Sequence, residues 1–514
     1  MLLADLSQKF GVDLQSIDPL EQLRSIMAWY PNKKLYDRAS SKSGKRIISV
    51  YSDQAICPVY SHEEWYADDW QSPYLEIDLN QSFFEQFRAL QKIAPVVGLL
   101  SSMQENAEYC QDSEGLKNCY LVFDALNCQD VYYATRIYNS KDCTDVYWVM
   151  DSELLYDCVY IFNGYNCKYS FNCHYITDSQ FLFNCRNVKH SFMCANLRNK
   201  EYCLFNQQVT KEEYDTFIAS VAWNNYAEML KFKQQFYSEY VAKAPIPAAV
   251  LENCEDCEGN YLKNTANASA AFESFDLRDV YNVFQCAKGN DIVGSYMCND
   301  RVEKCFQCVA TGIAVHDVRN CAFVWHSSFM EYSYLCLNCQ NCFGCIGLRN
   351  KQYHIFNKPY SKEEYEVKVE QLRQAMKAKG EYNQFFPLDL SPFTYEDTIA
   401  SDLFDNKDSS VFEAMLQAQS QNAVLVIDAK AVQNCAVSKK PFRYIAQELQ
   451  FYTKHHVPLP RVAAPLRYRE RMQLMDTSFS PQEVVVNGQR LTCYYAHPQS
   501  KNIISDEEYA QQLS

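Results

Sequence analysis

Ten cysteines between Cys110 and Cys203 all lie in one phase of a three-residue repeat. The intervals between them are 9, 9, 15, 15, 9, 6, 12, 9 and 9. The positions between them in the same phase, such as Val146, Ser152 and Gly164, are small or aliphatic, whereas Asn, Asp, Tyr, Phe and charged residues occupy the other two phases. The stretch is a triplet repeat, and no other feature restricts the architecture of this chain as strongly.

A period of three excludes most regular structures. A stripe repeated every third residue drifts about 60° per triplet around an α-helix. In a straight strand it alternates faces, and a long 3₁₀-helix is not stable. Packed polyproline II helices need glycine for close approach, and the chain has only 13 Gly.

The remaining architecture is a solenoid of short extended segments that turn every few residues and stack coil on coil. We expect the small phase to fill a narrow interior and Asn and Asp to occupy the corners, where they bond nearby backbone. We expect Tyr and Phe to stack on the outside. Coils of four triplets (a period of 12) and of five triplets (a period of 15) both fit the sequence.

The repeat occurs twice, and the copies end alike, as Leu-Arg-Asn-Lys at 197–200 and at 348–351. The second copy keeps its phase over 268–298 and 318–357 and slips between them around Cys305 and Cys308, which predicts a loop or a bulged coil. A capping box follows each copy, at Thr210 and at Ser361. The sequence predicts helices over 210–242 and 361–379 that cover the coil stacks.

Composition restricts the classes of function. The 514 residues carry a formal net charge of −15, which argues against a general nucleic-acid binder. The first residues lack the basic start and apolar core of a signal peptide, so we expect none, and no run of about 18 apolar residues predicts a membrane span. We therefore expect a cytoplasmic protein with its 24 Cys reduced, most of them small buried side chains rather than ligands.

A second internal repeat links the two ends of the chain. The segment from Gly44 to Ser61 matches the segment from Gly488 to Ser505, and the spacing from Gly to Ser is the same in both. Each predicts a β-hairpin followed by a capped helix. A further helix with apolar residues on one side is predicted within 78–99.

The chain resembles a family of uncharacterised cysteine-rich proteins from small-genome uncultured bacteria, which combine Asn-Cys-Tyr repeats with zinc-ribbon-like ends. The residues that carry the resemblance are Lys34-Leu35-Tyr36 before Gly44-Lys45, the Phe83-Phe84-Glu85-Gln86-Phe87 helix, the two Leu-Arg-Asn-Lys endings and Pro458-Leu459-Pro460. The resemblance covers nearly the whole chain and implies paired cysteine ligands for zinc at both ends.

This sequence departs from the family pattern at those ends. Near the N-terminus the positions at which cysteines are expected hold Ala39, Ser43 and Ser61, with Cys57 alone nearby. Near the C-terminus Cys435 remains, but the other positions hold Ser438, Ala463 and Leu466. Structural zinc needs four ligands, so we expect metal-free ribbons held by packing.

The predicted fold class is therefore mainly β with helices. It comprises two triplet-repeat β-solenoid modules, each followed by a capping helix, between degenerate zinc-ribbon-like ends. The predicted segments are an N-terminal ribbon-like domain (1–76), a helical linker (77–104), solenoid 1 (105–207), a helical linker (208–248), solenoid 2 (249–358), a helix and linker (359–428) and a C-terminal ribbon-like domain (429–514).

Four cysteines at three-residue intervals are the candidate metal ligands: Cys336, Cys339, Cys342 and Cys345. The spacing is similar to iron–sulfur and zinc ligand runs, but the triplet repeat alone also predicts it, and the iron–sulfur run has a longer last gap and a following Pro. The interpretation as a row of buried thiols is favoured, and no cofactor is expected. The pairs Cys254/Cys257 and Cys305/Cys308 are weaker candidates.

A basic cluster is the other candidate site: Arg461, Arg467, Arg469 and Arg471. It predicts either partners for the acidic remainder of the chain or a contact with a phosphate-bearing or acidic partner. No catalytic motif is present, and catalysis by a Cys/His pair is disfavoured because neighbouring residues such as Cys173 and His174 point apart in an extended segment.

Three hypotheses about function follow. The favoured one is a non-enzymatic scaffold or binding protein that presents the outer faces of its solenoids to a protein or glycan. The second is a metal-binding or redox protein that uses the Cys-x₂-Cys run. The third is an enzyme with a site between the two modules.

Overall fold

The computed structural model describes residues 2–284, 289–290, 293–294, 296, 302–307, 309–311, 316–319, 322–325, 327–405, 416–419 and 430–513. It contains 37% strand and 27% helix, so strands and helices are mixed. The chain forms two compact units. The first comprises residues 1–99, 249–406 and 478–482, and the second comprises residues 100–248, 407–477 and 483–514.

The helices are short apart from one. They are α1 (Leu2–Phe10), α2 (Pro19–Met27), α3 (His62–Tyr66), α4 (Phe83–Gln91), α5 (Lys211–Ser220), α6 (Tyr226–Gln235), α7 (Lys362–Ala378), α8 (Ala446–Lys454), α9 (Ala464–Leu474) and α10 (Asp506–Leu513). A π-helical turn, Phe236–Val241, continues α6, and a second one spans Ser401–Asp405.

The strands before residue 248 are β1 (Tyr36–Ala39), β2 (Arg46–Ser49), β3 (Val59–Tyr60), β4 (Val96–Val97), β5 (Ser101–Ser102), β6 (Gln111–Glu114), β7 (Tyr120–Leu126), β8 (Gln129–Tyr138), β9 (Lys141–Met150), β10 (Glu153–Phe162), β11 (Tyr165–Lys168), β12 (Phe171–Phe183), β13 (Arg186–Ala195), β14 (Arg198–Leu204), β15 (Gln207–Gln208) and β16 (Pro245–Pro247).

The later strands are β17 (Leu251–Glu252), β18 (Glu255–Lys263), β19 (Ala266–Phe275), β20 (Arg278–Tyr281), β21 (Gly289–Asn290), β22 (Val302–Cys305), β23 (Ala310–Thr311), β24 (His316–Val318), β25 (Phe323–Trp325), β26 (Ser328–Glu331), β27 (Cys336–Leu337), β28 (Gln340–Phe343), β29 (Gln352–Ile355), β30 (Lys358–Pro359), β31 (Gln433–Asn434), β32 (Pro441–Phe442), β33 (Thr477–Val486), β34 (Gln489–Tyr495) and β35 (Asn502–Ile504).

A parallel sheet of 11 strands, β5 to β15 in chain order, dominates the second unit. Its registers pair each residue with the residue 12 positions further on, as in Leu155 with Cys167 and Cys143 with Leu155. Only the last pair, β14 with β15, is antiparallel. Of the two periods that fit the triplets, the sheet uses the shorter one.

Every third residue from Met103 to Phe205 has a positive φ. This left-handed conformation costs a typical L-residue about 1–2 kcal/mol but is tolerated by Asn and Asp, which explains why these two residues are so frequent in that phase. The chain bends at each such position. The prediction that Asn and Asp occupy the corners is confirmed.

The cysteine phase forms the interior of this sheet, as predicted. Its members from Cys110 to Cys203 belong to one core cluster in which all ten cysteines are almost fully buried. Each thiol donates a hydrogen bond to the carbonyl two residues earlier, for example Cys143 to Lys141 at 3.1 Å. Serines of the same phase do likewise, and Ser140 also accepts the N–H of Ser152 at 3.1 Å. We call these residues the inward phase.

The second repeat, in the first unit, is less regular. Strands β17 to β22 and β24 form a seven-stranded sheet, and smaller sheets continue it. After a bulge at Gly259, paired residues of neighbouring strands lie 12 positions apart in the sequence. The interval is 13 positions for the pairs from β21 to β25 and 12 positions again between β25 and β27. Because the longer interval is not a whole number of triplets, it explains the slip in phase. Cys308 and the side chain of Cys305 lie outside the described residues.

The predicted capping boxes are confirmed, but one of the two helices is shorter than expected. Thr210 caps α5 and Ser361 caps α7, each paired with a Glu three residues later. The predicted helix over 361–379 is observed as α7. The predicted helix over 210–242 is instead two helices and a π-turn, because Asn225 caps a new helix by accepting the N–H groups of Ala227 and Glu228.

Both hairpin–helix modules predicted at the ends of the chain are observed. The β1–β2 hairpin turns at Gly44 and precedes α3, and the β33–β34 hairpin turns at Gly488 and precedes α10. Both glycines have positive φ, near 74° and 81°. The predicted helical stretch within 78–99 is confirmed only over α4, since Val96–Val97 is a strand.

Candidate functional site

One corner of the long sheet is open to solvent over its whole length. It consists of seven residues at intervals of 12, all exposed and all with positive φ: Asn127, Asn139, Asp151, Asn163, Tyr175, Asn187 and Asn199. We call it the open column. Neighbouring strands lie about 4.8 Å apart, so seven rungs extend over about 29 Å.

Hydrogen bonds between rungs hold five of the seven side chains of the open column in place. The amide of Asn139 accepts from Asn127 at 3.4 Å and donates to Asp151 at 3.2 Å, and Asn187 donates to Asn199 at 2.8 Å. The same ladder recurs in the first unit, where Asn264 donates to Asp276 at 2.9 Å. The polar groups are therefore ordered before any partner arrives.

A second row of side chains flanks the open column. It comprises Gln129, Lys141, Glu153, Tyr165, Thr177, Lys189 and Glu201, all at least partly exposed. Lys141 and Glu153 form an ion pair at 3.2 Å between adjacent strands. Tyr165 and Tyr175 are 46% and 56% exposed, so two large rings lie among the amides and charges of neighbouring rungs.

Other corners of the same sheet are covered by helices. Phe181 stacks on Tyr169 at 4.7 Å and contacts Phe232 and Phe236 of the α6 region. The expected coil-to-coil stacking of Tyr and Phe is thus observed, but beneath helices rather than on an outer face. We call the column Tyr133, Asp145, Asp157, Tyr169, Phe181 and Met193 the covered column.

Two of the four candidate arginines form ion pairs with an aspartate of the covered column. Arg467 and Arg471 of α9 both pair with Asp145, at 2.8 and 3.0 Å. All three side chains are buried, and Arg467 also lies 4.9 Å from the ring centre of Tyr133. Burial opposes the charge on Arg467, but Asp145 holds its pKa well above the usual range. Of the two alternatives for the cluster, these residues follow the first, as partners for acidic side chains.

The other two arginines differ from this pair. Arg469 is exposed. Arg461 lies over the ring of Tyr226, 5.3 Å from its centre, and lines a cavity with Arg467 and Arg471. The structure therefore brings three of the four predicted residues together and leaves Arg469 on the surface.

The four-cysteine run lies in the core of the first unit. Cys336, Cys339, Cys342 and Cys345 are buried, and each donates to the carbonyl two residues earlier at 3.3–3.6 Å. Burial raises the pKa of Cys336. The pKa of Cys339 is lowered by the adjacent thiols of Cys336 and Cys342. Among the described side chains, no group of three or more His, Cys, Asp or Glu is arranged to hold a metal.

Of the weaker metal-ligand candidates, the structure describes the pair Cys254 and Cys257. Cys254 and Cys257 are half-buried at the start of the second repeat, and burial raises the pKa of Cys254 to about 11. His174 is buried against Tyr160 and Phe162.

The positions at which the family pattern implies ligands form equivalent turns in the two units. The N–H of Ser40 donates to Lys45 and the N–H of Gly44 donates to Ser40, as the N–H of Cys435 donates to Lys440 and that of Lys439 to Cys435, all at 2.7–3.0 Å. Position 40, not Ala39, therefore corresponds to Cys435.

The same equivalence extends to the following helices. Ser41 and Ala436 are the second residues of the two turns. Their N–H groups donate to the carbonyls of Val59 and Arg461, which lie two residues before Ser61 and Ala463. Ser40, Ser43, Ser61 and Glu64 thus correspond to Cys435, Ser438, Ala463 and Leu466. In the first set Ser40 and Ser61 bond to Glu64, and in the second Cys435 lies in an apolar cluster with Ala463 and Leu466.

Comparison with known proteins gives no family for this chain. No model of a known protein family matches the sequence, and no curated protein matches it either. Among the described residues, no helix has the length and apolar character needed to cross a membrane.

Sequence reasoning missed the open column and the cavity. The signal for the first was present, because Asn or Asp recurs at intervals of 12 from Asn127 to Asn163, and that recurrence separates coils of four triplets from coils of five. The cavity had no local signal, since its walls come from segments that are distant in the sequence, such as Asp145 and Arg471.

Proposed function

We propose that this chain is a non-enzymatic binding protein whose long sheet is a β-solenoid with four triplets in each coil. Three observations support the solenoid: from β5 to β14 each strand pairs in parallel with the next strand along the chain in a constant register, every third residue is left-handed, and the inward phase is buried. The second repeat is proposed to be a shorter solenoid, some of whose coils are longer by a single residue.

The open column carries the proposal. This row of five exposed amides, one carboxylate and one Tyr ring extends over about 29 Å, and its hydrogen-bonded members need no rearrangement before they bind. The covered column shows the contrast, because its side chains pack against the chain's own helices. An outer face that the chain leaves exposed and holds in order is available to a partner.

The partner is a protein or a glycan, and the side chains of the open column favour a glycan. Amide groups offer both donors and acceptors to hydroxyl groups, and exposed Tyr rings present apolar faces with a polar end. Tyr165 and Tyr175 supply two such rings beside Asn163. A partner with repeating hydroxyl groups matches a surface that itself repeats.

Arrays of immobilised oligosaccharides and of immobilised peptides would test this function. We expect the wild-type protein to bind a subset of the glycans and the double variant Asn139→Ala/Tyr175→Ala to lose most of that binding. Asn267→Ala is the matched control, since Asn267 is an exposed left-handed Asn that bonds to Asp279 in the other unit.

Loss of binding in the double variant alone would support the open column. Binding to peptides with the same loss would keep the surface and change the partner to a protein. If the wild type binds neither array, or if the double variant binds as the wild type does, the proposal is wrong.

A second candidate function is metal binding by the four-cysteine run. One observation favours it: the nearby thiols of Cys336 and Cys342 lower the pKa of Cys339, which favours the thiolate that a metal needs. The uniform donation of the four thiols to carbonyls favours the first function instead.

We also propose that the hairpin–helix modules derive from zinc ribbons and have replaced the metal with other contacts. Glu64 and Glu508 support this, because each accepts from the cap of its helix, Ser61 or Ser505, and Glu508 also accepts from Asn487 in the hairpin turn at 2.8 Å. A hydrogen-bonded carboxylate stands where the fourth ligand would be.

A further inference from the structure

A cavity of about 50 Å³ lies between the covered column and the helices α6 and α9. Asp145, Asp157 and Tyr169 form its floor. Its other walls come from α6, from the segment 458–462, from α9 and from Gln419 in a short helical segment. All of these residues belong to the second unit.

One of the cations around this cavity has no acidic partner among the described residues. Four cations line it, namely Lys233, Arg461, Arg467 and Arg471, against three carboxylates, namely Asp145, Asp157 and Glu470. Asp145 pairs with two of the arginines, and Lys233 lies 2.7 Å from Asp157 and 2.6 Å from Glu470. Arg467 also lies 3.9 Å from the buried carboxylate of Glu448, which makes four carboxylates against four cations. Among the described residues, Arg461 is the cation of this lining that forms no ion pair.

Several hydrogen-bond donors at the cavity have no partner among the described residues. They are Nε and Nη1 of Arg461, Nε of Arg471 and Nε2 of Gln419. Arg471 is only 2% exposed. The amide oxygen of Gln419 accepts from Tyr226 at 2.7 Å, which leaves the amide nitrogen as the group without a partner.

Buried donors without partners are costly, because each loses its bonds to water and gains nothing. Four such atoms around one cavity, two of them on an arginine without an ion pair, indicate a ligand with several acceptor atoms and negative charge. The small volume excludes an extended ligand, since sites for larger molecules typically occupy about 300–1,000 Å³.

We propose that this cavity binds one small oxyanion: phosphate, sulfate or a carboxylate group. Guanidinium groups suit such anions because their N–H groups match the geometry of the oxygens. Arg461 supplies the charge, with its guanidinium over the ring of Tyr226, and Arg471 and Gln419 add donors from other walls. This site is independent of the open column.

Titration calorimetry with sodium phosphate, sulfate and acetate, each at an ionic strength matched with chloride, tests this proposal. We expect saturable binding of one anion per chain, with phosphate and sulfate binding tighter than acetate if the site takes a tetrahedral anion, and the reverse if it takes a carboxylate. Thermal unfolding should show a matching rise in Tm for the anion that binds.

Arg461→Gln is the test variant, and Arg469→Gln is its control. Both remove one positive charge from the same stretch of the chain, but Arg469 is exposed and does not line the cavity. We expect Arg461→Gln to weaken binding about tenfold or more and Arg469→Gln to leave it unchanged. Circular dichroism verifies that both variants fold.

Three results would overturn the proposal. One is a wild-type protein that shows no anion-specific heat or Tm change relative to chloride. Another is an equal loss in the two variants, which would indicate a general charge effect. The last is an unfolded Arg461→Gln protein together with no binding by the wild type in calorimetry.

Discussion

Cys173 shows what a single inward residue contributes. Its thiol donates to the carbonyl of Phe171 at 3.3 Å and accepts the N–H of Cys185, the residue 12 positions on, also at 3.3 Å. Ser191 and Cys203 repeat the second contact. A small side chain with both a donor and an acceptor therefore links two neighbouring strands through the interior, which a Val or Leu cannot do.

Replacement of Cys173 should separate the role of its volume from the role of its hydrogen bonds. Cys173→Ala removes the acceptor of a buried N–H, and we expect a loss of about 1–3 kcal/mol in the free energy of unfolding. Cys173→Ser keeps both bonds and should cost less. Urea denaturation under reducing conditions measures the difference, and a Ser variant as unstable as the Ala variant would contradict the hydrogen-bond role.

At the scale of the element, most thiols of the inward phase are held protonated by burial, whereas Cys185 beside Cys173 has a lowered pKa. Burial raises the pKa of Cys110, Cys128 and Cys167 to about 12 and that of Cys119 to about 11, and it raises the pKa of Cys143 and Cys158 further. An unfolded chain ionises its thiols near pH 9. The folded state therefore holds more protons than the unfolded state above that pH.

This difference gives a pH dependence with a definite sign. The stability that the protonated thiols provide is fully present below about pH 9 and falls as the pH rises toward 11–12. Each thiol contributes up to about 1.4 kcal/mol per pH unit. We expect the urea midpoint to drop between about pH 8.5 and pH 10 in reducing buffer.

The variant Cys143→Ser provides the matched comparison for this pH dependence. It removes one titrating thiol and keeps a donor to Lys141, so its stability should fall less steeply with pH than that of the wild type. A midpoint that is flat up to about pH 10, or a slope unchanged in the variant, would show that the column does not control the alkaline limit.

The elements also show how far the sequence alone could lead. The triplet phase predicted the buried interior, and the Ser/Thr…Glu signals predicted both caps, because these depend on local spacing. The break at Asn225 was missed since an Asn cap within a helical pattern is a weak signal. No local pattern predicts which corners are covered, because the covering contacts join residues far apart in the sequence. Arg467 and Asp145, for example, are 322 positions apart.

At the scale of the whole molecule, metal content separates the two candidate functions. We expect protein purified without oxygen and without chelator to contain no stoichiometric zinc or iron, because the described thiols of the four-cysteine run already donate to carbonyls. Elemental analysis measures this. About one metal ion per chain, lost in a Cys339→Ala/Cys342→Ala variant that still folds, would establish the second function.

A positive control for that measurement can be built into the same chain. The triple variant Ser438→Cys/Ala463→Cys/Leu466→Cys restores a four-cysteine set with Cys435, whose sulfur already accepts the N–H groups of Ser438 and Ala463 at 3.5 and 3.4 Å. We expect this variant to bind one zinc ion.

The two charged contacts of the covered column set a limit on how this protein can evolve. A repeat of constant period can in principle gain or lose length by whole layers without disturbing any local rule. Asp145 and Asp157, however, are neighbours one layer apart, and α9 and α6 each hold one of them through Arg467 and Lys233. An added layer between them would carry the two carboxylates to twice their present spacing. The ion pairs that α6 and α9 form with Asp157 and Asp145 thus fix the number of layers between these two residues. We expect inserted layers to be tolerated only outside the part of the sheet that these helices cover.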